Sequence, residues 1–203
     1  MSEQVCVIVL AAGLSQRMEY PKPLLRLGET TFIERILSNT FLSRGGVETC
    51  VVLGHDKDKI LSVGLPDSVR IVENPNYRSG RTTSVQAGLR ALPQETSATF
   101  IWPVDCPLVP PDVLQSLLSA LEDDSTICIP SYERRRGHPP LIGASYFTEI
   151  LRMGENEPLR DLYRKHPHAI RHVNVDTETV LHNVNTPEEY QAIKEFYLRS
   201  EKE

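Results

Sequence analysis

The sequence predicts an α/β protein with a mostly parallel central sheet and helices on both faces, interrupted by an antiparallel excursion in its C-terminal third. Three observations carry this. Residues 5–10, Val-Cys-Val-Ile-Val-Leu, form an unbroken apolar, β-branched run, the pattern of a strand buried on both faces. From there to residue 130, strand-like runs alternate with segments of helical periodicity, the signature of βαβ units. After Pro130 that alternation breaks at a polar, basic stretch, 132–140, before a short apolar piece at 141–143.

Taken in order, strand 5–10 stops at Ala11-Ala12-Gly13, where small residues let a ligand approach the backbone. A polar segment with Ser15, Arg17 and Lys22 follows, the lysine bracketed by Pro21 and Pro23, and residues 23–28 read as a short extended piece. Thr31 opens a helix in which Phe32, Ile33, Ile36, Leu37 and Phe41 recur at helical spacing, ended by Gly45-Gly46. Residues 47–53 are a second strand, 58–63 a helix, and 69–72 a third strand broken by Asn74-Pro75-Asn76. The polar run 78–84 leads into helix 85–89, and strand 99–104 runs into Asp105-Cys106-Pro107. Pro110-Pro111-Asp112 starts a helix through Leu121, and 126–129 is the fifth strand. Two helical pieces, 146–153 and 158–166, and two extended pieces, 170–175 and 180–184, follow. Thr186 is the expected N-cap of the last helix, with Pro187 at its first position and acids in its first turn.

The chain of 203 residues is long enough for one well-buried domain, read as residues 1–203. Its net charge of −5 offers no basic field for nucleic acid or an anionic membrane. Cys6, Cys50, Cys106 and Cys128 show no C-x-x-C pairing, which argues against a zinc site or disulfide framework and fits a reducing, cytoplasmic setting. The first apolar run lacks a basic flank and is too short for a signal sequence or a membrane span.

Ligands of open parallel sheets bind beyond the carboxyl ends of the strands, and four polar clusters fall there: 13–22, 78–84, Asp105, and 183–185. The first matches neither G-x-x-x-x-G-K-[ST] nor G-x-G-x-x-G, so the residues leave it as either a phosphate cradle with Arg17 and Lys22 or a solvated loop. Asp105, held at the end of a strand with Trp102, is a seat for a divalent cation or a partner for Arg78 or Arg81. Asn183 and Asn185 offer neutral oxygens, or simply turn chemistry before the last helix. The Arg134-Arg135-Arg136 run is a solvated loop or a clamp for a second anion. No Ser/His/Asp or Cys/His arrangement suggests a covalent nucleophile.

The stretch Leu10-Ala11-Ala12-Gly13-Leu14-Ser15-Gln16-Arg17-Met18, with Pro21-Lys22-Pro23-Leu24-Leu25, resembles the L-A-A-G-x-S-x-R-M…P-K signature of Rossmann-like nucleotidyltransferases, within them the molybdenum cofactor cytidylyltransferases. The resemblance continues through Asn74 to Leu89, V-D-C-P-L-V at 104–109, Gly137-His138-Pro139, and N-x-N-T-P-E-E at 183–189. It implies a three-layer α/β/α fold, a nucleotide-binding part at 1–130 and an acceptor-substrate part at 131–185, and Mg²⁺-dependent transfer of CMP from CTP to a pterin phosphate, with release of pyrophosphate. Leu10, Ala11, Ala12, Gly13, Ser15, Arg17, Lys22, Asn74, Gly80 and Ser84 would hold the nucleotide. Arg17, Lys22 and Asp105 would act in catalysis, Asp105 with Asn185 would hold the metal, and Gly137, His138, Asn183 and Asn185 would face the acceptor. A molybdoenzyme or its chaperone is the implied recipient. Ala12 favours CTP over GTP, since the guanylyl branch resembles L-A-G-G at this point, whereas Asn183-Val184-Asn185 resembles the guanylyl ending. Guanylyl transfer, cytidylyl transfer to a sugar or polyol phosphate, and a non-catalytic nucleotide-binding delivery protein are the competing readings. Glu19-Tyr20 departs from the family pattern, in which a glycine is common.

Overall fold

The computed structural model describes residues 4–18, 20–42 and 47–200. Its elements are β1 (Gln4–Ala11), β2 (Arg26–Leu27), β3 (Thr30–Thr31), α1 (Phe32–Leu42), β4 (Glu48–Leu53), α2 (Lys57–Leu61), β5 (Arg70–Glu73), α3 (Arg81–Ala91), β6 (Thr96–Pro103), α4 (Pro111–Ser119), β7 (Ile127–Tyr132), β8 (Arg135–Arg136), β9 (Leu141–Gly143), α5 (Phe147–Arg152), α6 (Arg160–Lys165), β10 (Ile170–Asn174) and α7 (Pro187–Ser200). Short 3-10 turns at Lys22–Leu24, Tyr77–Ser79, Pro167–Ala169 and Glu178–Leu181 join them, with one at Ala144–Tyr146 leading into α5.

The main sheet has the order β10-β7-β9-β6-β1-β4-β5. β1 pairs in parallel with β4 and β6, β4 with β5, and β7 with β10; β9 is antiparallel to both β6 and β7. β1 reads as an unbroken apolar run because both of its faces are covered. Val7 and Val9 join one core, with Phe32, Ile36, Val113, Leu117 and Ile193, so α1, α4 and α7 cover that side. Ile8 and Leu10 join the other, with Val85, Leu89, Ile150 and Leu162, so α3, α5 and α6 cover the opposite side. The result is the three-layer α/β/α arrangement expected. Crossovers lead from β1 towards β5 on one side, while the chain beyond β6 runs to the other side, so the crevice between the carboxyl ends of β1 and β6 is the topological switch point.

Capping boxes fix two helix starts. Glu34 Oε2 accepts the Thr31 N–H at 2.7 Å while Thr31 Oγ1 accepts the Glu34 N–H at 3.3 Å; bonds to the carboxylate from the Thr31 hydroxyl, at 2.7 Å, and then from the Thr31 N–H hold the Glu34 pKa below its usual value. Glu189 and Thr186 repeat the arrangement before α7. The glycine pair expected to end α1 lies outside the described residues.

One extended piece is not a strand. Residues 180–184 alternate like one, but Glu178–Leu181 forms a 3-10 turn because Thr177 Oγ1 accepts the Thr179 N–H at 3.3 Å. Within the turn the Val180 carbonyl accepts from His138 N at 2.8 Å, and beyond it Val184 N donates to the Asp105 carbonyl at 2.9 Å. The arginine run forms a hairpin, β7 to β8, with Arg134, Arg135 and Arg136 exposed. All four cysteines are free and buried. Among the described residues no helix is long and apolar enough to cross a membrane.

Candidate active site

The site lies at the switch-point crevice. The chain leaving β1 is held there by two backbone bonds, Val104 N to the Leu10 carbonyl at 3.1 Å and His55 N to the Ala12 carbonyl at 3.2 Å. A Cβ added to Gly13 would meet nothing within 4 Å, so open space lies directly against this backbone. The loop then folds back on Ser15, a non-glycine residue with a φ of 49°. Its carbonyl accepts the Met18 N–H at 2.8 Å and its Oγ accepts the Lys22 N–H at 3.1 Å. This closure brings Lys22, chemically distant in sequence, over the end of β6.

Asp105 is placed there by a rigid turn. The Cys106 N–H bonds the Pro103 carbonyl at 3.1 Å, and the fully buried Trp102 donates its Nε1–H to the Cys106 carbonyl at 2.9 Å. The bond from Val184 N to the Asp105 carbonyl draws in the segment carrying Asn185. Asn185 is itself oriented by the α7 capping box, its N–H donating to Glu189 Oε2 at 2.6 Å.

These elements bring one carboxylate, one amide and two cations together. Lys22 Nζ donates to Asn185 Oδ1 at 2.9 Å and stands 3.8 Å from Asp105 Oδ2. Arg81 Nη2 stands 3.6 Å from the same carboxylate oxygen. The Lys22 and Asp105 side chains are 15% and 9% exposed, whereas that of Arg81 is 61% exposed. Burial lowers the Lys22 pKa, partly offset by the Asp105 charge. The Cys106 thiol is driven well up, by burial first and by Asp105 second, so it stays protonated and unreactive.

Asp105 Oδ2 and Asn185 Oδ1 both face one cation, the Lys22 ammonium. Two hard oxygen donors aimed at a common point suit Mg²⁺, which takes few protein ligands and fills its octahedron with phosphate and water oxygens. Among the described residues no group of three or more His, Cys, Asp or Glu forms a complete protein cage.

Leu10, Ala11, Ala12, Gly13, Ser15, Lys22, Gly80, Ser84 and Asp105 line one cavity of about 190 Å³, joined by Tyr77 and Arg81. Asn74 sits behind that wall rather than in it. It is buried, and its Nδ2 donates at 2.9 Å to both Thr83 Oγ1 and Ser84 Oγ, fixing the start of α3. Arg17 is exposed and outside the cavity lining. Gly137 is packed under Val180, where a Cβ would lie 2.6 Å from the Val180 carbonyl oxygen. His138 lines a second cavity of about 430 Å³ that shares Leu10, Gly80, Arg81 and Pro103 with the first. Its Nδ1 is buried without a partner, and burial lowers its pKa, leaving a neutral imidazole at pH 7. Asn183 stands apart from both: it is exposed and lines a separate cleft against α7 with His182, Glu189 and Phe196. Glu19 lies outside the described residues.

The residue pattern marks Arg81 only as a partner for Asp105 and gives Tyr77 and Tyr163 no role. A basic residue directly after Gly80, one turn before Ser84, was the available signal for Arg81. Tyr163 carries none, since its helix reads as ordinary core packing.

The sequence profile of the MobA-like NTP transferase domain matches residues 7–170. The chain belongs to this family. A relative from Rubrobacter xylanophilus, a bifunctional IPC transferase and DIPP synthase, is 42% identical over 45% of this chain, which spans only 22% of that protein. Two relatives match along nearly the whole length. The molybdenum cofactor cytidylyltransferase of Escherichia coli is 26% identical over 97% of this chain and 98% of its own. A probable molybdenum cofactor guanylyltransferase of Bacillus cytotoxicus is 28% identical over 93% and 95%. Among solved structures, a nucleotidyl transferase from Methanothermobacter superposes with a TM-score of 0.83 over 97% of this chain and 99% of its own, at 26% identity. This MobA-like protein is thus a nucleotidyltransferase with a Rossmann-like fold.

Proposed function

We propose that this MobA-like transferase is a Mg²⁺-dependent cytidylyltransferase that moves CMP from CTP to the phosphate of a molybdopterin cofactor and releases pyrophosphate. The observation that carries the reading is the convergence of Lys22, Asp105 and Asn185 at the mouth of a cavity walled by the open Gly13 backbone. Similarity along nearly the whole chain to a molybdenum cofactor cytidylyltransferase supports the acceptor class.

In this reading the backbone of residues 11–15 lies along the triphosphate, where small side chains permit close approach. Lys22 exchanges its contacts with Asp105 and Asn185 for phosphate oxygens, gaining charge-assisted bonds. Ser84, held by Asn74, presents its hydroxyl to the base side of the cavity. When bound, Mg²⁺ supplies charge neutralisation across the reacting phosphates, and Asp105 and Asn185 are the residues that would hold it. The attacking group is a phosphate oxygen that is already ionised at pH 7. The protein therefore needs to align and neutralise rather than to provide a covalent nucleophile.

Ala12 supports the choice of CTP, while the Asn183-Val184-Asn185 ending and the guanylyltransferase relative support GTP on the same acceptor. Calorimetric titration with CTP and with GTP, each with and without Mg²⁺, followed by pyrophosphate release with molybdopterin, decides between them. The expected result is Mg²⁺-strengthened CTP binding and turnover. Strong turnover with GTP and none with CTP overturns the base, and Mg²⁺-independent binding of either overturns the metal.

A further inference from the structure

A short chain of hydrogen bonds at the start of α3 has its direction fixed at every link. Asn74 is 3% exposed, behind the wall of the nucleotide cavity, and its own N–H is tied to the Leu53 carbonyl at the end of β4, at 2.8 Å. Its side-chain amide has only one workable orientation. The Asn76 N–H, a donor and nothing else, lies 3.0 Å from one end of that amide, so this end is the Oδ1 acceptor. The other end is therefore the NH₂ group, and its two hydrogens go to Thr83 Oγ1 and Ser84 Oγ, each at 2.9 Å.

The two hydroxyls that receive them are wired differently, although each has a single proton to place. Thr83 directs its proton at the Gly80 and Asn76 carbonyls, at 2.8 and 3.0 Å, so its bonding is closed within the protein. Ser84 accepts from Asn74, and among the described residues nothing accepts the Ser84 proton. Ser84 also lines the nucleotide cavity, whereas Asn74 and Thr83 do not. With an NH₂ group already on its oxygen, Ser84 turns its O–H away from Asn74 and meets the ligand as a donor. A ligand amino group at that point would leave the Ser84 hydrogen without an acceptor in a largely buried place, at a cost. A carbonyl oxygen or an unprotonated ring nitrogen completes the chain.

We propose that Asn74 is a positioning residue for base recognition: by donating to the Ser84 oxygen it fixes Ser84 as a donor, and the cavity therefore selects a base with an acceptor, not an amino group, against α3. This rests on the nucleotidyl-transfer reading and adds the sign of one hydrogen bond to it. For cytosine it means that the O2 and N3 side meets Ser84 while the N4 amino group, a donor, is turned elsewhere.

The test is calorimetry on the full chain, with Mg²⁺, using the nucleotide that the wild type prefers (CTP on the reading above) and inorganic tripolyphosphate as a ligand without a base. Ser84→Ala weakens the nucleotide about tenfold and leaves tripolyphosphate within about twofold. Asn74→Asp keeps an acceptor for the Asn76 N–H but puts a carboxylate oxygen where the NH₂ group stood. The Ser84 proton then turns inward, and the nucleotide again weakens about tenfold with tripolyphosphate unchanged. The double variant loses no more than either single one, because both act on the same bond. A strut that merely shaped α3 would weaken both ligands alike and add to the effect of Ser84→Ala, and that result overturns the proposal. So does an Asn74→Asp variant that binds nucleotide as well as the wild type or better. Should Asn74→Asp not fold, Asn74→Leu replaces it: the freed hydroxyl turns at random, nucleotide weakens about threefold or more with tripolyphosphate unchanged, and an undiminished nucleotide affinity overturns the proposal. If the wild type binds tripolyphosphate but neither CTP nor GTP, the nucleotide reading fails and this one with it. If nucleotide binds and the variants leave it unaltered, only the role of Asn74 fails.

Discussion

Replacing Asp105 by asparagine separates what the carboxylate does for the fold from what it does for the reaction. Its Oδ2 faces Lys22 Nζ at 3.8 Å and Arg81 Nη2 at 3.6 Å. The Arg81 side chain is 61% exposed, so that pair is screened and contributes about 0–1 kcal/mol. The Lys22 pair is more buried, but an amide in place of the carboxylate also removes the cost of desolvating an ion, and Lys22 keeps its bond to Asn185. The two effects oppose each other, and the net change in stability is about 1 kcal/mol, or ~2–4 °C in melting temperature for a chain of this size. In the proposed reaction Asp105 would be a charged ligand to the cation, and losing it is expected to cost ~3–4 kcal/mol in the transition state and about 10²–10³ in turnover. Pyrophosphate release and a thermal melt on the same preparation measure both. A folded variant with turnover within tenfold of wild type would refute the role of Asp105 and return the non-catalytic delivery reading to the front.

Gly13→Ala leaves the melting temperature within about 2 °C, because its Cβ meets no protein atom, yet weakens nucleotide binding by about tenfold or more through the space it fills; unchanged calorimetric affinity would place the nucleotide elsewhere. Gly137→Ala destabilises by ~1–3 kcal/mol, because the new Cβ falls 2.6 Å from the Val180 carbonyl oxygen, and a urea titration reads this as a lower midpoint. Burial lowers the pKa values of His138, His172 and His182 from 6.5. The unfolded chain therefore binds more protons than the fold as pH drops through 6.5, so stability falls there and levels off below the folded pKa values. Urea midpoints between about pH 7.5 and 5 test this, and His172→Gln with His182→Gln flattens the slope.

Much of this architecture was readable because each strand that matters is buried on two faces. Val7 and Val9 serve one core and Ile8 and Leu10 the other, so β1 left an uninterrupted apolar record. Asp105 was legible for the same reason: an acid immediately following such a strand has nowhere to sit but the sheet edge. The parts that escaped depend on irregular backbone. Asn183 and Asn185 are two apart, which in a strand would put them on one face. Because Val180 and its neighbours form a turn and Val184 is drawn fully inside, Asn185 reaches Lys22 while Asn183 faces a different cleft. Asn74 has a motif position but serves as a strut beneath Ser84. The reach of Arg81 follows from a left-handed Gly80, which no hydrophobic pattern encodes.

The contact between Lys22 and Asn185 spans 163 residues of chain. Loop closure over that distance is entropically costly and is repaid only after the intervening strands have paired. The turn from Ser15 to Lys22 is closed by local bonds, but the Leu10 and Ala12 carbonyls before it wait for Val104 and His55, and the oxygen pair waits for the segment ahead of α7 to dock on Asp105. Partly synthesised or partly unfolded chains thus lack the oxygen pair that Asp105 and Asn185 make around Lys22. Competence to react is in this way a report that almost the entire sheet has assembled, and ligand-induced protection from proteolysis should extend to the far end of the chain rather than stop at the loop.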